Sequence, residues 1–177
     1  LKQLIDLKHP ELIRILKGKN TIAKIKLSKK SYDNCDPFEE EEVNKILETI
    51  KSTSKYNKNW YRDYVITSLC AQLGLRISEC LSIKKERIDS KKRILIIPAE
   101  LCKTKTEQNV YLHDKVYNLL IDYIKKTEQK FKQGYLFYSR TKRNKREIYH
   151  LNREHFVKIF RDYLKLAELD EIKKTDL

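Results

Sequence analysis

Leu73-Gly-Leu-Arg-Ile-Ser-Glu79, followed by Leu81-Ser-Ile83, is a segment whose residue types and spacing could do chemistry. It sets the guanidinium of Arg76 at a helix start, just after a glycine. A planar fork of N–H donors at such a place can grip two oxygens of one phosphate. A helix N-terminus adds partial positive charge to the same spot. A plainer reading stays open, with Arg76 as a solvated helix residue paired to Glu79 at i+3. A second basic stretch is Arg140-Thr-Lys-Arg-Asn-Lys-Arg146. Its Lys142, Arg143, Lys145 and Arg146 could contact a nucleic-acid backbone, or form a solvated charged turn.

The 177 residues suit one domain, or one domain plus a tail, and a hydrophobic fraction of 40% is enough for an ordinary core. Lys and Arg exceed Asp and Glu by 39 to 25, for a net charge of +14. Such a balance points to a polyanionic partner, since clustered cations gain from counterion release on phosphate. Lys-rich composition alone also occurs without nucleic acid, so charge by itself does not decide. Cys35, Cys70, Cys80 and Cys102 form no CxxC pair, and His9, His113, His150 and His155 form no cluster with them. The spacing fits neither a zinc site nor a disulfide framework. Free thiols in apolar helical contexts, as at Cys70 and Cys80, behave as small hydrophobes and fit a reducing cytoplasm. Gly18, Gly74 and Gly134 are too few and too scattered for a phosphate-binding glycine loop. The expectation is no metal and no small-molecule cofactor. No apolar run approaches the roughly 20 residues that span a bilayer, so no membrane association is expected.

The elements that must position Arg76 follow from periodicity and punctuation. Pro10–Lys17 is a short helical stretch, and residues 21–35 read as a basic extended linker. Asp36 as N-cap, Pro37 at the first helical position and Glu39 closing a capping box predict a helix start. Val43, Ile46, Leu47 and Ile50 form its buried stripe, and a domain boundary is placed at about Asp36. A second helix is predicted from about Asn59 to Leu73, interrupted by Gly74, with Arg76 opening a short one. Arg93–Ile97 reads as a strand stopped by Pro98, followed by a hairpin of Leu101–Lys105 out and Gln108–Leu112 back. Asp114 caps a third long helix, Tyr135–Tyr138 is extended, and Asn152 caps a fourth helix with Phe156, Ile159, Phe160, Tyr163, Leu164 and Ala167 on one face. This order predicts a mainly helical α+β domain. Tyr123 and Tyr163 fall on apolar stripes and read as core.

The Leu73–Glu79 segment resembles the first conserved box of the tyrosine recombinase (phage integrase) family. Cys102-Lys-Thr-Lys-Thr-Glu-Gln-Asn-Val-Tyr-Leu112 resembles the family's stretch that carries a catalytic lysine between two strands. Counting back from Leu112 puts that lysine at Lys103, with Lys105 the close alternative; the stretch's usual arginine is Asn109 here. Asp176-Leu177 resembles the start of the family's second box, whose arginine would fall 102 residues after Arg76. Thr175 stands where that box has His or Lys.

The resemblance implies a helical catalytic domain with a small three-stranded antiparallel sheet over residues 36–177, the final part absent. Residues 1–35 would be the end of an N-terminal core-binding region with its basic linker. It implies site-specific cutting and rejoining of double-stranded DNA through a 3′-phosphotyrosyl intermediate, with self-association on DNA into a tetrameric synapse. Arg76 would bind a non-bridging phosphate oxygen and Lys103 would protonate the departing 5′-oxygen. Glu79 would buttress Arg76, while Lys105, Lys142, Arg143, Lys145 and Arg146 would contact DNA. The second arginine and the nucleophilic tyrosine would follow Leu177, so this chain is expected to bind DNA without cleaving it. The rival expectations are a non-catalytic DNA-binding relative acting as repressor or accessory factor, and an unrelated basic helical protein binding RNA or a protein.

Overall fold

The structure is a computed structural model that describes residues 37–102, 104–127, 134–140 and 148–169. The readings made for residues 1–36, for Lys103, for the 141–147 loop with Lys142, Arg143, Lys145 and Arg146, and for residues 170–177 lie outside the described residues.

The architecture is mainly helical with a small antiparallel sheet, as the residue pattern requires. Helix α1 spans Glu40–Ser52, α2 Trp60–Leu73 and α3 Ile77–Leu81. Strands β1 (Ile88–Asp89), β2 (Ile94–Ile97) and β3 (Gln108–Tyr111) follow, then α4 (Asp114–Thr127). A two-stranded hairpin, β4 (Tyr138–Arg140) and β5 (Ile148–His150), precedes α5 (Arg153–Leu166).

The first helix starts later than its sequence signals predict. Glu39, rather than Asp36, is the N-cap, and its N–H donates to Glu42 Oε2 at 2.7 Å. Four consecutive glutamates offer several possible boxes, and the one that closes leaves Pro37 and Phe38 outside the helix, with Phe38 edge-on to Phe160. Ile46, Leu47 and Ile50 are buried on the inner face of α1, against Val65, Ile66 and Leu69 of α2. Helix α2 is buried over most of its middle and even encloses charged residues, Arg62 and Asp63. Asn152 caps α5 as its residue type predicts, accepting the His155 N–H at 2.8 Å.

The hairpin differs from its predicted form. The strand that pairs with β3 is β2, in the register Ile94↔Tyr111 to Ile97↔Gln108, and Leu101–Lys105 is not a strand. Pro98 lacks the N–H that would continue the ladder, so β2 ends there. The connection instead turns back on itself through Leu101 N–H to Pro98 O (3.0 Å) and Cys102 N–H to Ala99 O (3.2 Å). The short strand β1 pairs with the other edge of β2, giving the order β1-β2-β3. Two or three residues are too few to show a period, which is why neither β1 nor the β4–β5 hairpin is legible from alternation.

A buried polar network ties these elements together. Arg62 Nε and Nη2 meet Asp63 Oδ1 at 2.8 and 2.6 Å, and Arg62 Nη1 donates to Tyr138 O at 2.9 Å. Tyr163 Oη on α5 donates to Asp63 Oδ2 at 2.9 Å and accepts from Asn57 Nδ2 at 2.6 Å. The network thus joins α2, α5 and the base of the β4–β5 hairpin. Removing one member of such a pair leaves a buried charge uncompensated. Asp63→Asn is therefore expected to lower stability by about 3–5 kcal/mol, measured by urea unfolding, whereas a loss under about 1 kcal/mol would show that Arg62 does not depend on that charge.

Candidate phosphate-binding site

Helix α2 ends at Gly74, whose backbone lies in the left-handed region (φ 64) and whose N–H donates to Cys70 O at 3.1 Å. A residue with a Cβ adopts that conformation only at a cost of about 1–2 kcal/mol, so glycine fits the turn. Leu75 then drops into the core, and Arg76 becomes the N-cap of α3 with an extended backbone. Sequence spacing alone put Arg76 at this position.

Glu79 fixes the arginine from below. Its Oε2 accepts the Arg76 N–H at 2.8 Å, and its Oε1 accepts from Arg76 Nη1 at 2.7 Å. Glu79 is buried at 3% exposure, whereas the Arg76 side chain is 56% exposed. Both alternatives weighed for Arg76 therefore contain part of the geometry: it is paired with Glu79 at i+3, and the pairing presents the guanidinium outward. One edge of the fork is committed to the carboxylate, and the exposed side chain is free to meet an anion. A five-residue helix contributes little dipole, and its N-cap N–H is already taken by Glu79, so the attraction for an anion comes from the guanidinium itself.

The far end of the Arg76 box is held by contacts that sequence reasoning missed. Leu136 N–H donates to Ile83 O at 2.9 Å, and Lys85 N–H to Gly134 O at 3.3 Å, clamping the strand-like 134–136 segment onto the end of the box. His150 Nε2 lies 2.7 Å from Leu81 O; a carbonyl can only accept, so that nitrogen carries the proton. The His150 ring stacks on Tyr135 with centroids 4.4 Å apart, and Lys84 Nζ lies 5.0 Å over the other ring. A His between two apolar residues gave no sign of this partner.

Two grooves flank the box. The first, about 200 Å³, has Glu79 and Ser82 on one side and Pro98, Glu100 and Leu101 on the other. It places the start of the β2–β3 connection beside the Arg76 helix. Lys103 belongs to that connection by sequence position but lies outside the described residues. Lys105 is exposed there with a left-handed backbone (φ 52), its N–H donating to Cys102 O at 3.0 Å. The second groove, about 420 Å³, is apolar, with Phe38, Ile46, Cys70, Ile77 and Phe160 among its walls and Arg76 at its edge.

Tyr123 and Tyr163 are buried, as their helical stripes predict. Burial, then the neighbouring Asp63 carboxylate, pushes the Tyr163 phenol well above its ordinary range. It stays protonated and committed to Asp63, which is the wrong state for a nucleophile. Among the described residues no group of three or more His, Cys, Asp or Glu side chains could hold a metal ion, and no helix is long and apolar enough to cross a membrane.

Glu79→Ala removes the acceptor of two hydrogen bonds at once. It is expected to cost about 1–3 kcal/mol in urea unfolding; no change would show that the Arg76 turn is held by something other than Glu79.

Known proteins share the fold that carries this site. The model of the phage integrase family matches residues 37–177. Among solved structures, the XerA recombinase superposes with a TM-score of 0.58 at 20% identity, over 76% of this chain and 43% of that one. The XerH site-specific recombinase bound to its difH substrate, in a pre-cleavage complex, superposes with a TM-score of 0.57 at 19% identity, over 75% of this chain and 36% of that one. The post-cleavage complex of XerH on a palindromic difH substrate gives the same values. The chain thus covers about two-fifths of the length of these recombinases, and the likeness is one of fold. No curated protein matches. With the family's own pattern running over most of its length, the chain belongs to the phage integrase family.

Proposed function

We propose that this protein is a site-specific DNA recombinase that cuts and rejoins duplex DNA through a 3′-phosphotyrosyl intermediate. Residues 36–177 belong to its catalytic domain and residues 1–35 to the end of a core-binding region with its linker. The observation that carries the reading is the Arg76 fork, exposed to solvent and braced from beneath by a buried carboxylate. A guanidinium so held meets a non-bridging phosphate oxygen with little loss of side-chain freedom, and stabilises the charge that grows on a pentavalent phosphorus.

Lys103 acts as the general acid that protonates the departing 5′-oxygen, with Lys105 the alternative. The start of the connection that carries them shares a groove with Glu79 and Ser82, which supports this assignment. Lys105, Lys142, Arg143, Lys145 and Arg146 contact the DNA backbone. The second arginine and the nucleophilic tyrosine are residues of the family's later boxes. Copies of the protein assemble on DNA, in the cytoplasm, as a tetrameric synapse. The chemistry exchanges one phosphoester for another and needs no external energy source. Asn109 and Thr175, which depart from the family's pattern, favour as second reading a non-catalytic relative that binds DNA as a repressor or accessory factor.

Duplex binding by this chain tests the shared part of both readings. If six phosphates are engaged, log K falls against log salt with a slope of about −5. Arg76→Ala is expected to make that slope shallower by about 1 while most of the binding persists, and a nearly salt-independent affinity would overturn the DNA reading. The readings part on a nicked duplex that traps covalent intermediates. A protein extended through the family's tyrosine is expected to become linked to the DNA, and to lose that linkage with Arg76→Ala. Binding without linkage identifies the non-catalytic relative.

A further inference from the structure

We propose that Cys70 and Cys80 are a peroxide-responsive thiol pair that oxidises to an intrachain disulfide, closing a covalent ring around the Arg76 turn. The inference stands on the placement of the two side chains and does not depend on the DNA reading. Cys70 lies in the last turn of α2, half-buried, on the wall of the 420 Å³ apolar groove, where a solute as small as hydrogen peroxide can reach it. Cys80 is fully buried on α3. A helical side chain leans toward the helix N-terminus and covers the turn before its own Cα. The Cys70 thiol therefore lies over the turn that begins at Ile66. Cys80 Sγ reaches that same turn, 3.9 Å from the Ile66 carbonyl oxygen, and Cys70 is the titratable group that neighbours it there. Both are free. Cys102 is turned elsewhere, its Sγ 3.8 Å from Ile97 O.

The difference in burial assigns the roles. The Cys70 thiol releases its proton and the thiolate attacks one oxygen of hydrogen peroxide; the O–O bond breaks to give a sulfenic acid and a hydroxide, which takes up the released proton as one water. Cys80 sulfur then attacks the sulfenic sulfur, the S–O bond breaks, and the hydroxide leaves with the Cys80 proton as a second water. Two thiols are oxidised by two electrons and one peroxide is reduced to two waters. Burial pushes the Cys80 thiol well above its ordinary range, so Cys80 reacts second, with the sulfenic acid next to it. The ring so formed contains Gly74, whose left-handed backbone sets the direction of the turn, and Arg76.

Peptide mapping decides the matter. A Cys35→Ser chain is treated with a modest excess of hydrogen peroxide, alkylated and digested with trypsin, which cuts after Arg76. The expected product joins peptides 63–76 and 77–84, lighter by two hydrogens than their sum, and dithiothreitol separates them. In a Cys80→Ser variant Cys70 is expected to stop at the sulfenic acid and take up dimedone. Should that buried substitution fail to fold, the map of the Cys80-containing chain still decides. Both thiols alkylated after peroxide, or Cys70 joined to Cys102, would overturn the proposal.

Discussion

The carboxylate of Glu79 is the constraint on which the candidate site depends. A single buried side chain accepts from the backbone of Arg76 and from its guanidinium, so one group sets both the direction of the chain and the direction of the side chain. Burial of Glu79 without a partner would be costly, and its exposed partner can satisfy it only in this turn. The left-handed Gly74 before it and the clamp of 134–136 behind it then fix where α3 begins and ends. An arginine on an ordinary solvated helix would sample many rotamers; this one is tethered at one edge and open at the other.

The same logic recurs on a larger scale in the Arg62–Asp63–Tyr163–Asn57 network. Helical packing alone leaves the β4–β5 hairpin attached by little, because its strands are three residues each. Arg62 reaches the Tyr138 carbonyl at the start of that hairpin, and His150 at its end bonds to the Leu81 carbonyl of α3. The hairpin is thereby referenced both to α2 and to the Arg76 box.

Much of the frame is legible in the residue pattern because it rests on local rules. Helices α1, α4 and α5 announce themselves by their apolar stripes and α5 also by its Asn152 cap, and Arg76 with Glu79 is an i,i+3 pair that spacing alone exposes. What escaped the pattern is of three kinds. Where several local signals compete, as in the run of glutamates before α1, local rules do not choose among the boxes; the one that closes leaves Phe38 outside the helix, edge-on to Phe160. Where a partner is distant in sequence, as Tyr163 is from Asp63 or His150 from Leu81, no periodicity records it. Where a strand signal runs past a proline, tertiary burial decides: Pro98 ends β2, and the residues after it turn to bury Cys102.

That the Arg76 guanidinium grips one DNA phosphate is a proposal about a single contact. It is tested most directly by coupling the arginine to single phosphates of a bound duplex. Each phosphate in turn is replaced by a neutral methylphosphonate, and affinity is measured for the native chain and for Arg76→Ala. A single gripped phosphate is expected to give one position where neutralisation weakens the native chain but leaves Arg76→Ala unaffected, with a coupling on the order of 1–3 kcal/mol. Strictly additive losses at every position would contradict it.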